Sequence, residues 1–302
     1  MDVHTRLLRY FAAVADEGNL TQAADRLFVS QPALTKQIKQ LEGQMGVELF
    51  TRSRAGMALT PAGVAFAERI PALLSQLQDA VQTARGARSE AARVLRLGFF
   101  ASGANEFTQT IVSEFLRRRP GWQVDLRPAE YSDPTAGLAD GQADVALLRL
   151  PIPGQDRFSS TVLFEEPRWV ALPSTHPLAE RAEVSFSELW DEPFVALPEE
   201  TGSWRDFWLA TDHREGRPPR VVAVVKNIDE FLTTIASGLA ISLIPAGTGR
   251  FYQRPGVAYR PVRDISPSPV GVAWQPGIVT GSAVVEFVQA CLDVCGPSET
   301  LV

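Results

Sequence analysis

Residues 30–41 read Ser30-Gln31-Pro32-Ala33-Leu34-Thr35-Lys36-Gln37-Ile38-Lys39-Gln40-Leu41, and the fold of the N-terminal third turns on them. Ser30 suits a helix N-cap, because its side-chain oxygen accepts from a free N–H of the first turn. Pro32 costs little there, since no intrahelical N–H is lost at that position. Leu34, Ile38, Leu41 and Met45 recur at helical spacing and predict a helix to about Met45 with one buried face. The opposite face carries Gln31, Thr35, Lys36, Lys39 and Gln40. Amides and hydroxyls read base edges in a major groove, and lysines neutralise phosphate. A plain solvated helix face has similar residues, so the neighbouring segments decide between the two.

Upstream, Leu7, Phe11 and Val14 predict a helix over about 4–17, with Gly18 as its C-cap. Thr21 reads as the N-cap of a short helix over 22–28 that buries Ala23, Ala24 and Leu27. A tight turn at Val29 leads to Ser30. This is helix-turn-helix spacing, in which the N-terminal part of the second helix reads bases. Gln31, Pro32, Thr35 and Lys36 are therefore the favoured contacts, with Thr21, Ser30 and Lys39 beside them. Downstream, Gly46-Val47-Glu48-Leu49-Phe50 and Met57-Ala58-Leu59-Thr60 flank a basic tip, Thr51-Arg52-Ser53-Arg54-Ala55-Gly56. Two short apolar runs around a polar, glycine-containing tip predict a β-hairpin wing. Arg52 and Arg54 can reach phosphate or a narrow minor groove from it, or remain solvated.

The ordered set Phe11, Ala23, Ala24, Leu27, Ser30-Gln31-Pro32-Ala33-Leu34-Thr35, Ile38, Leu41-Glu42, Gly46, Leu49-Phe50, Arg52 and Leu59-Thr60-Pro61-Ala62-Gly63 resembles the DNA-binding domain of LysR-type transcriptional regulators over residues 7–66. The resemblance implies a bacterial winged helix-turn-helix protein that binds double-stranded promoter DNA at an operator. It also implies a homo-oligomer that contacts RNA polymerase.

Thr60 caps and Pro61 opens a helix predicted to run to about Arg88. Phe66, Ile70, Leu73, Leu77, Ala80 and Ala84 form a coiled-coil stripe along it. The pattern leaves open whether this stripe meets a second copy or its own domain. The resemblance implies a dimer here, and a tetramer through the C-terminal domains. Pro71 should bend the helix locally, and 85–90 reads as a hinge.

From Arg93 on, short apolar runs alternate with amphipathic stretches. Strands are predicted over 94–100, 123–127, 144–148, 169–172, 221–225, 241–244 and 270–274, and helices over about 105–118, 228–237 and 283–294. This is an α/β pattern, for which buried parallel sheets are expected. The layout resembles the effector domain of the LysR type, which is similar to periplasmic binding proteins. That implies two α/β subdomains joined by crossing strands near 163–167 and 263–267. The expected organisation is a winged helix-turn-helix domain over 1–60, a linker helix and hinge over 61–92, and an effector-binding domain over 93–302. Subdomain I would comprise 93–162 and 267–302, and subdomain II 163–266.

In open α/β sheets ligands sit beyond the C-terminal ends of strands, where helix N-termini supply free N–H groups. Ser102 and Gly103 follow the first strand, and Thr201 and Ser203 are their counterparts across the cleft. Their hydroxyls and exposed amides suit a small-molecule effector with a carboxylate or another small anionic group, although each hydroxyl can equally be a helix cap. Arg149, among apolar residues, needs a partner, either an internal carboxylate or a ligand's. Tyr131, Ser132 and Asn227 are placed to line the same cleft.

The net charge of −6 hides a split: residues 1–92 sum to +1 and residues 93–302 to −7. Of only three lysines, Lys36 and Lys39 lie on the one short helix, so any phosphate-seeking surface is local. No apolar run approaches a membrane span, and the first residues lack signal architecture, so a cytoplasmic protein away from membranes is expected. His4, His176 and His213 are scattered, and neither a nucleophile elbow nor a phosphate loop is present. Catalysis, a metal and a cofactor are therefore not expected. Cys291 and Cys295, four apart on a predicted helix, read as small buried hydrophobes; the resemblance, to a family with thiol-sensing members, keeps redox sensing as the lesser alternative. A transport receptor is disfavoured by the helix-turn-helix.

Overall fold

The computed structural model describes residues 3–27, 29–53, 56–101, 103–278 and 280–296. Arg54 and Ser102 therefore lie outside the described residues, as does the side chain of Arg52. The chain forms two compact units, Met1–Thr83 and Ala84–Val302.

The first unit begins with α1 (Thr5–Glu17), α2 (Leu20–Arg26) and α3 (Gln31–Met45). Gly18 ends α1 in the left-handed region, φ 59°, with its N–H on the Val14 carbonyl, a geometry glycine adopts without a Cβ penalty. The cap of α2 is Asn19 and not Thr21. Asn19 Oδ1 accepts from the N–H groups of Thr21 (2.8 Å) and Gln22 (3.3 Å). Asn is the stronger cap, so the helix starts ahead of Thr21. Ser30 caps α3, accepting from the Ala33 N–H at 3.4 Å. Leu34, Ile38 and Leu41 share one core with Leu7, Phe11, Val14, Ala23 and Ala24. β1 (Phe50–Ser53) and β2 (Gly56–Leu59) pair antiparallel, Phe50 facing Leu59, and form the wing.

Thr60 Oγ1 accepts from the Gly63 N–H at 2.9 Å and starts α4 (Pro61–Ala67). The single helix expected beyond it is instead broken at 68–69 and resumes as α5 (Ile70–Ala92). Pro71, in the first turn of α5, has no N–H to return to the preceding turn, so a new helix start accommodates it better than a bend. Residues 85–90, read as a hinge, are helical within α5. The apolar stripe also divides. Ile70 is buried and Phe66 partly buried in the first unit's core, whereas Leu73, Leu77 and Val81 are exposed.

The second unit runs β3 (Val94–Phe99), α6 (Phe107–Arg118), β4 (Gln123–Pro128), β5 (Val145–Arg149), β6 (Ser159–Glu166), β7 (Arg168–Pro173), β8 (Val184–Ser185) and β9 (Pro193–Ala196). It continues through α7 (Ser203–Leu209), β10 (Arg220–Val224), α8 (Ile228–Ala236), β11 (Ser242–Pro245), α9 (Ala246–Phe251), β12 (Val257–Arg263), β13 (Ser268–Trp274) and α10 (Ala283–Cys295). Five strands form one sheet in the order β4-β3-β5-β13-β6, four form a second in the order β11-β7-β12-β8, and β9 pairs with β10.

The expectation of parallel sheets is corrected: both large sheets are mixed. β3 runs parallel to β4 and β5, but β13 is antiparallel to β5 and β6, and β7 is antiparallel to β11 and β12. The cause is the route of the chain. β6 leaves for the second sheet through Pro167, and β13 returns from it after residues 264–267. Departing and returning strands that lie side by side, Glu166 facing Ser268, must run in opposite directions. Parallel neighbours need a crossover of about a dozen residues or more, which these links do not contain. Helices α6 and α10 cover the five-stranded sheet, with Phe115 and Phe287 ring centroids 5.6 Å apart in its core.

Candidate DNA interface and effector cavity

The cap at Ser30 puts the first turn of α3 at the surface. Gln31, Pro32, Lys36 and Lys39 are exposed, as are Thr21 and Ser30, while Thr35 is half-buried. Gln31 Nε2 donates to Thr35 Oγ1 at 3.0 Å, which leaves the amide oxygen as an acceptor beside a hydroxyl donor. Two contacts missed in the sequence hold this surface together. Glu42 Oε1 on α3 accepts from the N–H groups of Leu49 (2.8 Å) and Phe50 (3.1 Å) at the base of the wing. The Met57 N–H donates to the Gly18 carbonyl at 2.8 Å. The Glu42 carboxylate thus ties α3 to the base of the wing, and a backbone bond ties the wing to the end of α1. Arg26 on α2 is neutralised by Asp16 (3.3 Å) and Glu17 (3.0 Å) and contributes little free positive charge.

In the second unit, Arg149 is the last residue of β5, paired with Val270 of β13. Its guanidinium is buried. Nη1 donates to the Gly103 carbonyl at 3.1 Å, Nη2 donates to Asn105 Oδ1 at 3.2 Å, and Nη2 lies 2.8 Å from Glu166 Oε1. The internal carboxylate left open by the sequence is therefore Glu166. The other oxygen of Glu166 accepts from Asn105 Nδ2 (3.1 Å) and from the Gly247 N–H (2.7 Å). Burial pushes the Arg149 guanidinium below its ordinary value, and Glu166 opposes the shift. A buried ion pair persists only when further hydrogen bonds compensate the lost water, and here Gly103, Asn105 and Gly247 supply them. The network ties the ends of β5 and β6 to the start of α9. The packing there is close: a Cβ on Gly247 would meet Asn105 Oδ1 at 2.1 Å.

Beside this network lies a cavity with an empty volume of about 620 Å³, part of it open to solvent. Its aromatic wall includes Phe100, Tyr131, Trp204 and Trp208. Ring centroids are 5.0 Å apart for Phe100–Trp204, 6.3 Å for Phe100–Tyr131 and 6.2 Å for Tyr131–Trp204. Leu197, Ile228 and Ile244 add aliphatic surface, and Arg149, Ser242 and Thr248 add polar groups. Burial pushes the Tyr131 phenol well above its usual range, so it is a neutral hydroxyl.

Among the candidate effector residues, the structure brings Arg149 and Tyr131 to this wall. Gly103, φ 62°, turns its carbonyl to Arg149. Ser132 is exposed and outside the wall. Thr201 is fully buried and donates its hydroxyl to the Pro198 carbonyl at 2.7 Å, so it does not face the cavity. Ser203 is exposed at the start of α7, away from the lining residues. Asn227 caps α8, its Oδ1 accepting from the Glu230 N–H at 3.0 Å. Helix α7 thus presents Trp204 and Trp208 to the cavity, where free N–H groups were expected. Their spacing of four residues marks one apolar face and was the available signal.

Two buried arginines hold the far end of α7. Arg168 Nη1 donates to the Phe207 carbonyl at 2.7 Å, while its Nε and Nη2 donate to the Ser266 carbonyl (2.7 Å) and hydroxyl (2.8 Å). Burial pushes its guanidinium down to about 10, still charged at neutral pH. Arg214 Nε donates to the Leu209 carbonyl at 2.8 Å. Cys291 is buried in the core under α10. Burial pushes both thiols up, Cys295 to about 11, so neither is an activated thiolate. Among the described residues, no group of His, Cys, Asp and Glu is arranged to hold a metal ion. No described helix is long and apolar enough to cross a membrane.

Comparison with known proteins finds two family matches. Residues 5–64 match the bacterial regulatory helix-turn-helix protein, lysR family, and residues 88–296 match the LysR substrate binding domain. The Hca operon transcriptional activator HcaR of Escherichia coli is 34% identical over 274 residues, 90% of this chain and 92% of HcaR. The HTH-type transcriptional regulator BenM of Acinetobacter baylyi is 31% identical over 265 residues, 86% of this chain and 85% of BenM. The crystal structure of full-length BenM has a TM-score of 0.53 at 27% identity, covering 97% of this chain and 96% of BenM.

Proposed function

We infer the function from one premise: this chain belongs to the LysR family of bacterial DNA-binding transcriptional regulators. It is a regulator and not an enzyme, with a helix-turn-helix domain followed by an effector-binding domain. The functional division we propose is 1–60 for DNA binding, 61–92 for dimerisation and 93–302 for effector binding, the last divided into 93–162 with 267–302, and 163–266.

Gln31, Pro32 and Thr35 are assigned to base edges, and Thr21, Ser30, Lys36, Lys39, Arg52 and Arg54 to the backbone of the duplex. The observation that carries this is the Gln31–Thr35 pair on the exposed first turn of α3, flanked by Lys36 and Lys39. Gel shifts of the full chain, on a double-stranded site enriched from a random pool, test it. Gln31→Ala is expected to cost about 1–3 kcal/mol on that site and to relax its specificity. Wild-type affinity and specificity in that variant would overturn the assignment.

The effector is a small molecule with a carboxylate, bound between the two large sheets of the second unit beside Arg149. A ligand touching both sheets has an affinity that depends on their relative angle. It can shift that angle only by its differential affinity, about 1–3 kcal/mol of coupling. The chain works in the cytoplasm as a homo-oligomer, dimeric through α5 and tetrameric through its effector domains, and contacts RNA polymerase. The exposed Leu73, Leu77 and Val81 support the dimer.

A further inference from the structure

We propose that the effector is an aromatic monocarboxylic acid, its ring against Phe100, Tyr131 and Trp204 and its carboxylate on Arg149, Tyr131 and Thr248. This rests on the reading that an effector binds beside Arg149, and it names the chemical class.

The body of the ligand follows from the wall. Phe100 is 6% and Trp204 2% exposed, and with Tyr131 they form a continuous patch of rings 5.0–6.3 Å apart. Offset or edge contact with such rings favours a planar aromatic partner over an alicyclic one. A sugar or a polyol would leave its hydroxyls unpaired against these faces, at a desolvation cost.

The head group follows from donors that have nothing to donate to. Gly103, Asn105 and Glu166 engage Nη1 and Nη2 of Arg149 and leave its Nε–H without a partner among the described residues. The hydroxyls of Tyr131 and Thr248 also have none, although Thr248 is only 4% exposed. Both residues stand next to the same ion pair. Thr248 follows Gly247, whose N–H binds Glu166, and Tyr131 lies close enough to Arg149 for each to shift the other's protonation. All three residues line the cavity, and a carboxylate there has about four lone-pair sites to offer these donors.

The charge sets the number of carboxylates at one. Arg149 is the sole charged residue lining the cavity among the described residues, and it is already shared with Glu166. One carboxylate meets three donors. A second would lie on apolar rings, uncompensated and desolvated.

Calorimetric titration of the full chain with benzoate, phenylacetate, cyclohexanecarboxylate, benzamide and succinate tests the proposal. At least one of the aromatic acids is expected to bind about tenfold more tightly than cyclohexanecarboxylate, the increment of one favourable ring contact. That acid should also outbind benzamide, and succinate should give no measurable binding. Trp204→Leu and Thr248→Val are each expected to weaken the tighter aromatic acid about tenfold, from lost ring contact and from a lost charge-assisted hydrogen bond. Should Trp204→Leu fail to fold, Thr248→Val, a change of the same shape, still decides. Succinate binding as tightly as the aromatic acids, or wild-type affinity in both folded variants, overturns the proposal and leaves the carboxylate-effector reading standing. No heat with any of the acids overturns both.

Discussion

Gln31 and Lys36 sit on one exposed helix face, yet their loss should be told apart by salt. A base-reading amide acts on one sequence, whereas a lysine on phosphate acts on all of them through counterion release. Lys36→Ala is expected to weaken cognate and scrambled DNA alike and to reduce the slope of log affinity against log salt by about 1 per site. Binding measured at several salt concentrations checks it. The Arg149–Glu166 pair is a second residue-scale case. Glu166 is 1% exposed, so removing it strands a guanidinium away from water. Glu166→Ala is expected to cost about 3–5 kcal/mol of stability, while the double change Arg149→Met, Glu166→Leu costs much less, because no charge is left unpaired. Denaturant titration of the two variants gives the comparison, and equal losses would mean that the pair carries no such coupling.

At the scale of elements, α5 poses the clearest question. Ile70 is spent on the first unit's core, while Leu73, Leu77 and Val81 recur every four residues with large exposed side chains. Such a strip on a 23-residue helix invites burial, at roughly 1.5–3 kcal/mol for each fully covered Leu or Val. If α5 carries the dimer, Leu77→Lys should shift the full chain toward monomer in light scattering at micromolar concentration. An unchanged mass would move the interface elsewhere. Helix α7 illustrates a different economy. It has seven residues, too few to be stable alone. Two cavity-facing tryptophans hold one side, and the bonds from Arg168 and Arg214 to its last carbonyls hold the end.

Taken whole, the molecule has two units that share no hydrophobic cluster, one built on α1–α3 and the other on several clusters around its two large sheets. Separate cores predict separate unfolding steps. Scanning calorimetry of the full chain should therefore resolve two transitions. A benzoate-type acid at a hundred times its Kd should stabilise only the transition of the second unit, by about 2.7 kcal/mol. A shift of the first transition instead would place the acid outside the second unit. The same division appears in the charge, since the N-terminal residues are near neutral and the remainder carries the acidic excess. On the proposed assignment, DNA attraction is left to a few lysines and arginines within residues 30–54.

What the sequence by itself determined is what depends on near neighbours. The cap at Ser30, the turn at Gly18, the wing, the start of α4 and most strand positions each follow from residues within about four of one another, where one hydrogen bond or one periodicity decides. Even there the competition was local: Asn19, two residues ahead of Thr21, accepts from the Thr21 and Gln22 N–H groups and so starts the helix earlier. Only the tertiary structure decided the direction of β13, the partner of Arg149 and the composition of the cavity. Glu166 lies on a different strand from Arg149, and Thr248 lies farther still along the chain, so no spacing rule links them. Thr201 and Ser203 had the right chemistry for a ligand, but the turn of the chain faced one inward and the other to solvent. Trp204 and Trp208 fill the wall instead. Cavities are made by side chains brought together from distant segments. Their contents depend on strand order and packing, which local residue preferences do not encode.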